Sequence, residues 1–243
     1  MQGHVCIAGV NPPQAKNPCC TSALAGELLP AGIATAELVG EGDPELLLAG
    51  ERQLVARAAP KRAREFAAGR CCARRAVAQF GIVDVPIGIR DDRRPQWPGL
   101  LTGSITHTDG YSAAVVGERQ RFRAIGIDAE RIGRVSCDIW SQVLLPGETD
   151  WLESLPAPVQ AKVATLMFSA KEAFYKCQYA VTGQWLEFTD VTVDLFDWNQ
   201  HWGSFAVRPI RSVNLFELGG TPVIGRFVAT NDLVLTGMAI ATH

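Results

Sequence analysis

The chain has 243 residues, of which 47% are hydrophobic and 20% are charged, and its formal net charge is −2. This is the composition of a globular protein; no run reaches the ~18 apolar residues of a membrane span, and the slight negative charge argues against a general nucleic-acid binder. The seven cysteines show no C-x-x-C spacing, so we expect reduced thiols in a cytoplasmic protein.

The first part of the chain predicts a strand followed by a basic helix. The strand is expected at 34–39 (ATAELV), and from Pro60 apolar residues recur at helical spacing until Gly81 closes the helix. Eight basic residues and one acid, Glu65, occupy positions 52–75. This local charge suits a compact polyanion such as a phosphorylated cofactor, and a solvated basic helix face explains it equally well.

A loop at 90–99 precedes two β-rich stretches, 103–117 and 121–132, and the GERQ segment between them predicts a hairpin connection. In the first stretch, His107 ends the segment GSITH. A structural hydrogen bond is the commoner role of such a histidine, whereas phosphate binding would suit the small hydroxyl residues around it. No G-x-G-x-x-G or Walker sequence supports either common nucleotide-binding fold.

The second stretch carries two acids in alternation with apolar residues. Period-two alternation places Asp128 and Glu130 together on one face of a strand. Their Cα atoms are then about 6–7 Å apart, a spacing from which both carboxylates reach one Mg2+. Ion pairs with arginines such as Arg123 or Arg131 are the alternative role.

After a loop around 146–147, a long helix is predicted at about 159–179. Its segment FSAKEAFYK puts Glu172 and Lys176 on one face, nearly opposite the apolar stripe. A solvated ion pair is the ordinary role of such residues. Phe168 lies on the same side, which favours a face that binds a ligand.

The C-terminal part returns to strands at 186–196 and at 226–241, the second pair being folded around an Asn-Asp turn. The order strand, helix, strand therefore occurs twice. We predict an α/β (α+β) protein with a pseudo-duplicated architecture, in which residues 1–125 form an N-terminal half and residues 126–243 a C-terminal half.

Five motifs, taken in chain order, resemble those of the 4'-phosphopantetheinyl transferases of the surfactin-activating type, in the branch associated with enterobactin synthase. The two motifs of the whole family read GIDAE and FSAKEAFYK here, at 126–130 and 168–176. The three motifs of the branch read KRAREFAAGR, RRPQWP and GSITH, at 61–70, 93–98 and 103–107. The resemblance implies the pseudo-duplicated fold of that family.

The resemblance also implies a reaction, in which a serine of an apo carrier protein attacks the β-phosphorus of coenzyme A and 3',5'-ADP leaves. Asp128, Glu130 and Glu172 would hold Mg2+. Glu172, or a metal-bound water beside it, would take the serine proton, and Lys176 would stabilise the leaving ADP. The residues implied in coenzyme A binding are Arg62, Arg70, Arg94, Thr106, His107 and Lys176, with Lys171 as either a phosphate contact or a structural pair.

The implied partners are acyl or peptidyl carrier proteins of siderophore, nonribosomal peptide, polyketide or fatty acid synthesis, and the implied state is a monomer. Two alternatives from other classes are a non-catalytic coenzyme A-binding module and a metal-dependent pyrophosphohydrolase. The presence of all three acids and Lys176 argues against the first. Against the second, hydrolases of that kind use more acidic or histidine ligands than these motifs contain.

Overall fold

The computed structural model describes residues 24–210 and 221–242. The α-helices within them are α1 (Ala49–Arg52), α2 (Pro60–Ala78), α3 (Trp140–Val143), α4 (Pro146–Ser154) and α5 (Ala157–Thr182). The strands are β1 (Ala34–Val39), β2 (Gly88–Ile89), β3 (Pro95–Gln96), β4 (Leu101–Thr108), β5 (Tyr111–Glu118), β6 (Phe122–Arg131), β7 (Val191–Phe196), β8 (Trp202–Pro209), β9 (Val223–Ala229) and β10 (Leu233–Ala241).

The N-terminal half is a three-stranded antiparallel sheet, in the order β1-β5-β4, with α2 packed on one face. Pro60 begins α2 at a position where its missing N–H loses no helical hydrogen bond. Cys72 and Val77 are buried against Ala114 of β5. The predicted strand at 34–39 and the predicted start of the basic helix are confirmed.

The C-terminal half is a five-stranded antiparallel sheet, in the order β6-β10-β9-β8-β7, with α5 packed across it. The predicted apolar stripe of the long helix is confirmed, since Val163, Met167 and Phe174 are buried in one cluster with Val234 of β10. Gly183 ends α5 with a left-handed φ of 65°, which favours glycine.

The two sheets meet along β4 and β6, which are edge strands of different sheets. The contact uses side-chain hydroxyls as well as apolar packing. The amide of Ile127 donates to Ser104 Oγ at 3.3 Å, and the amide of Ala129 donates to Thr106 Oγ1 at 3.0 Å. We call this contact the β4–β6 seam. β6 has no backbone-paired neighbour on this side among the described strands, so its buried amides would otherwise lack hydrogen-bond acceptors. The hydroxyl oxygens of β4 supply them.

The predicted hairpin at GERQ is wrong. β5 pairs with β1 and β4, whereas β6 pairs with β10, so this segment carries the chain from one sheet to the other. The hairpin lies instead inside the first β-rich stretch, where Asp109 and Gly110 connect β4 to β5 and Gly110 adopts a φ of 71°. β5 is buried along nearly its whole length, so its apolar pattern carries no information about which strands flank it.

Three further differences come from local capping and pairing. The predicted loop around 146–147 is the first turn of α4, where Pro146 occupies the start and Glu148 accepts the amide of Leu145 at 2.8 Å. The predicted loop at 90–99 contains the short strand β3, which pairs with β2. The strand β8 was not predicted.

The predicted mixed α/β class is confirmed, with one long helix packed on a sheet in each half. The predicted boundary between residues 125 and 126 lies inside β6. In the part of the chain that the structure describes, no helix combines the length and apolar character that a membrane span requires.

β6 lies close to α5 at Gly126, where an added Cβ would lie 2.0 Å from the carbonyl oxygen of Ala173 and 2.9 Å from Cβ of Cys177. We therefore expect Gly126→Ala to lower the free energy of unfolding by about 1–3 kcal/mol in urea denaturation, because the helix must move away from the strand. Gly147→Ala in α4 is the control, since nothing lies within 4 Å of its added Cβ. Equal stability of the two variants would contradict this close approach.

Candidate active site

A cavity of about 640 Å³ lies between α2, the β2–β3 hairpin, β4 and α5, and both halves of the chain contribute to its lining. Cations dominate this lining. They are Arg62, Arg70, Arg90, Arg93, Arg94, Arg119 and Lys176, with His107 beside them. The acids of the lining are Glu65 and Asp92. A concave surface with this excess of positive charge attracts a polyanionic ligand.

The basic residues of α2 fall into two groups, one facing the cavity and one forming ion pairs elsewhere. Arg62 and Arg70 point to the cavity. Three other basic residues of α2 form ion pairs away from the cavity. Lys61 pairs with Asp109 and Arg64 with Glu41 at the surface, and Arg74 pairs with Glu51 of α1. The tertiary structure thus selects two residues of the run for the cavity.

Arg62 and His107 come together across α2 and β4. Arg62 Nη1 lies 3.1 Å from His107 Nε2, a geometry in which the neutral imidazole nitrogen accepts a hydrogen bond. Burial lowers the pKa of His107 from its ordinary value, and the charge of Arg62 lowers it further. A phosphate placed here would meet one permanent cation and one imidazole.

Arg70 and Arg94 are held at defined positions by carbonyl and aromatic partners. Arg70 Nε donates to the carbonyl of Ile87 at 2.7 Å, and burial lowers its pKa to about 10, so it stays charged at neutral pH. Arg94 pairs with Asp92 at 2.6 Å and lies 5.3 Å from the ring centre of Tyr179. Both guanidinium groups are therefore oriented before a ligand binds.

Asp128 occupies the centre of the site, at the seam between β4 and β6. Its Oδ1 accepts Lys176 Nζ at 2.7 Å and the hydroxyl of Thr106 at 3.2 Å. Because the amide of Ala129 donates to that same hydroxyl oxygen, the hydroxyl hydrogen is left for Asp128. The other oxygen, Oδ2, is buried and has no hydrogen-bond partner among the described residues.

Glu130 and Glu172 flank Asp128 and carry perturbed pKa values. Burial, together with the charge of Asp128, raises the pKa of Glu130 to about 7. Burial also raises the pKa of Glu172, against the opposing charge of Lys176. Burial opposes the charge of Lys176, yet Asp128 and Glu172 raise its pKa above the ordinary value. Three acids and one lysine therefore share one partly buried volume.

The donor set of the three acids fits a hard divalent cation, because Mg2+ prefers carboxylate oxygens. The buried, unpartnered Oδ2 of Asp128 and the raised pKa of Glu130 are what such a cation would relieve. Among residues 24–210 and 221–242, however, no three acidic, histidine or cysteine side chains are already grouped around a point that could hold a metal. Lys176 holds one oxygen of Asp128 in this arrangement.

The implied phosphate contact of Lys171 is corrected by the structure. Lys171 is buried, and its Nζ donates to Glu148 Oε2 at 2.6 Å and to the carbonyls of Val143 and Phe188 at 2.9 and 3.0 Å. All three ammonium hydrogens are used inside the fold. Lys171 is therefore the structural pair, and it ties α5 to α4.

The implied contact of Thr106 with coenzyme A stays a prediction, and the structure gives its side chain partners inside the β4–β6 seam. Thr106 is buried at the seam and is absent from the lining of the cavity. Its hydroxyl is occupied by the amide of Ala129 and the carboxylate of Asp128. Thr106 thus orients the carboxylate of Asp128.

Sequence reasoning missed part of the cavity wall. Tyr175, Tyr179 and Trp185 form an aromatic cluster, with ring centres of Tyr175 and Tyr179 5.3 Å apart and those of Tyr175 and Trp185 5.1 Å apart. The i,i+4 spacing of the two tyrosines in α5 could have indicated a shared face. No local pattern marked Arg119, which reaches the cavity from the segment between β5 and β6.

Two family models of one superfamily match successive parts of the chain. A family model described as the 4'-phosphopantetheinyl transferase N-terminal domain matches residues 50–117, and a model of the 4'-phosphopantetheinyl transferase superfamily matches residues 124–223. Together they include the basic helix, the seam strands and the long helix.

Curated relatives extend the match to most of the chain. The 4'-phosphopantetheinyl transferase Npt of Nocardia iowensis is 36% identical over 220 residues, covering 88% of this chain and 98% of that protein. PptT of Mycobacterium tuberculosis is 34% identical over 226 residues, covering 89% of this chain and 98% of that protein. Enterobactin synthase component D of Salmonella typhi is 39% identical over 120 residues, covering 48% of each chain. The two alternative functions are not supported by these relatives.

The raised pKa of Glu130 predicts a pH-dependent loss of stability. The folded-state pKa of about 7 exceeds the ordinary 4.5, so ionisation favours the unfolded chain as pH rises between these values. In a metal chelator, we expect Glu130→Gln to be more stable than the parent above pH 7, by at most about 3 kcal/mol, and to match it below pH 4.5. Chemical denaturation at each pH measures this. Parallel pH profiles for the two proteins would contradict the burial of this carboxyl.

The buried pair of Lys171 and Glu148 predicts a strong effect on folding. Lys171→Met leaves the carboxylate of Glu148 buried without its cation, and we expect a loss of about 3–5 kcal/mol in urea denaturation. The double variant Lys171→Met/Glu148→Gln should recover part of that loss, because no uncompensated charge remains. Lys61→Met is the control at the exposed pair with Asp109, where a change below about 1 kcal/mol is expected. No recovery in the double variant would argue against the pairing.

Proposed function

Because the chain belongs to the 4'-phosphopantetheinyl transferase superfamily and is an enzyme that transfers phosphopantetheine to carrier proteins, we propose that its cation-lined cavity binds coenzyme A beside the acids of the seam. The observation that carries this proposal is the position of Lys176. It lines the cavity and at the same time binds Asp128, so the ligand-binding volume adjoins the three carboxylates.

In this proposal the phosphates of coenzyme A bind to Arg62, His107, Arg70 and Arg94. The planar guanidinium groups suit phosphate oxygens because they donate in a fork. Their prior orientation by carbonyl and aromatic partners lowers the entropy lost on binding. The aromatic cluster of Tyr175, Tyr179 and Trp185 supplies an apolar wall for the uncharged part of the ligand.

The transfer itself is a displacement at phosphorus. The serine oxygen of the carrier forms a bond to the β-phosphorus, the bond from that phosphorus to the bridging oxygen breaks, and 3',5'-ADP leaves with the electron pair. Glu172 accepts the serine proton as the general base. Lys176 stabilises the negative charge that develops on the leaving ADP.

Asp128, Glu130 and Glu172 would hold Mg2+, which would neutralise pyrophosphate charge when bound. The residues around them set the orientation of this donor set. Thr106 and Lys176 fix Oδ1 of Asp128, and the remaining oxygen is left for another partner. This division of one carboxylate between an anchoring oxygen and an unpartnered oxygen supports the assignment.

We further propose that the enzyme works as a monomer in the cytoplasm. The cavity is lined by residues of both halves of a single chain, so one chain suffices to form it. Among the described cysteines, Cys71, Cys137 and Cys177 are free thiols, as expected in a reducing compartment. Carriers of siderophore, peptide, polyketide or fatty acid synthesis are the candidate protein substrates, and enterobactin synthase component D is one relative whose name points to siderophores.

The proposed roles predict a loss of turnover on removal of single carboxylates. Asp128→Asn and Glu172→Gln should each lower kcat for transfer to an apo carrier by at least about a hundredfold, with the folded state retained by circular dichroism. The measurement is the mass of the carrier after incubation with coenzyme A and Mg2+. Glu153→Gln, an exposed acid of α4, is the control and should keep full activity.

Two outcomes would count against the proposal. Near-normal transfer by Glu172→Gln would remove that residue from proton transfer. Release of 3',5'-ADP without a change in carrier mass would show hydrolysis in place of transfer. A test with several carriers separates a narrow carrier preference from a lack of transfer.

A further inference from the structure

Glu65 is an acid among the cations of the cavity, and none of the roles above uses it. Helix α2 places it one turn after Arg62. Its Oε2 lies 3.4 Å from Nε2 of His107 and 3.6 Å from Nη1 of Arg62. Its other oxygen lies 4.0 Å from Nζ of Lys61. A single carboxylate oxygen thus faces both groups to which we assign a nucleotide phosphate.

The position of this carboxylate sets up a competition. A phosphate that binds Arg62 and His107 must displace Glu65 from them or lie beside it. Displacement gives up the ion pair between Glu65 and Arg62, and coexistence places two anions close together in a partly dehydrated cavity. In either case, the negative charge of Glu65 weakens phosphate binding at this point.

Such weakening has a kinetic advantage in this reaction. The phosphates on the nucleotide part of coenzyme A are also present in the product 3',5'-ADP. Tight binding of a group that substrate and product share does not lower the barrier of the chemical step, and it slows the departure of the product. A resident anion reduces this binding without removing the cations that position the ligand.

We propose that Glu65 is an internal counter-anion that competes with a nucleotide phosphate for Arg62 and His107, and so sets the affinity for coenzyme A and speeds the release of 3',5'-ADP. This inference rests on the proposed phosphate-binding role of Arg62 and His107. When the cavity is empty, Glu65 balances the charge of Arg62. When the product leaves, Glu65 takes its place.

The test measures binding of 3',5'-ADP and of coenzyme A to the full chain by calorimetry. Glu65→Gln, which removes the charge and keeps the shape, should tighten both ligands by a similar factor of about twofold to fivefold, within the range for a partly exposed ion pair. Stopped-flow displacement should show slower dissociation of 3',5'-ADP. Glu65→Asp keeps the charge with a shorter reach and should show a smaller change. Glu41→Gln, at the pair with Arg64 outside the cavity, should leave both affinities unchanged.

The outcomes separate this inference from the proposed function. If Glu65→Gln weakens binding or leaves it unchanged while Arg62→Ala weakens it, the counter-anion role is wrong and the phosphate site stands. If Arg62→Ala leaves both affinities unchanged, the phosphate role of Arg62 itself fails, and the inference fails with it. Thermal unfolding of each variant confirms that the measured protein is folded.

Discussion

The ion pair between Asp128 and Lys176 is the interaction on which the site depends, because it joins the three structural parts that form it. Asp128 stands on β6, Lys176 on α5, and Thr106, which shares the same carboxylate oxygen, on β4. The pair therefore links the C-terminal sheet, its helix and the edge of the N-terminal sheet at one buried point. A displacement of any of these elements would change the direction in which the second oxygen of Asp128 faces.

Opposite charges occupy adjacent volumes of the molecule. The cavity carries a surplus of guanidinium groups, whereas the seam beside it carries Asp128, Glu130 and Glu172 in partly buried positions. The cavity has an excess of positive charge and the seam an excess of negative charge. Lys176 neutralises only part of the negative charge of the seam. A polyphosphate together with a divalent cation would balance both, which is the combination that the proposed function places there.

Sequence reasoning succeeded where a function depends on spacing along one element, and it failed where a residue meets a partner far along the chain. Alternation in β6 correctly placed Asp128 and Glu130 on the face opposite the buried Ile127. The same approach could not identify the partner of Lys171, because Glu148 lies 23 residues away on another helix. The partners of Thr106 on β6 were missed for the same reason.

The sequence by itself determined the mixed α/β class, the basic helix, the strand with two acids and the helix with Glu172 and Lys176, because periodicity and motif spacing are local properties of the chain. Only the tertiary structure decided which cations line the cavity, which lysine is buried as a structural pair, and how β4 and β6 meet without a ladder. Those features depend on which surfaces pack together and on which polar groups lose water when they do. Contacts between distant segments decide both, and no local pattern records them.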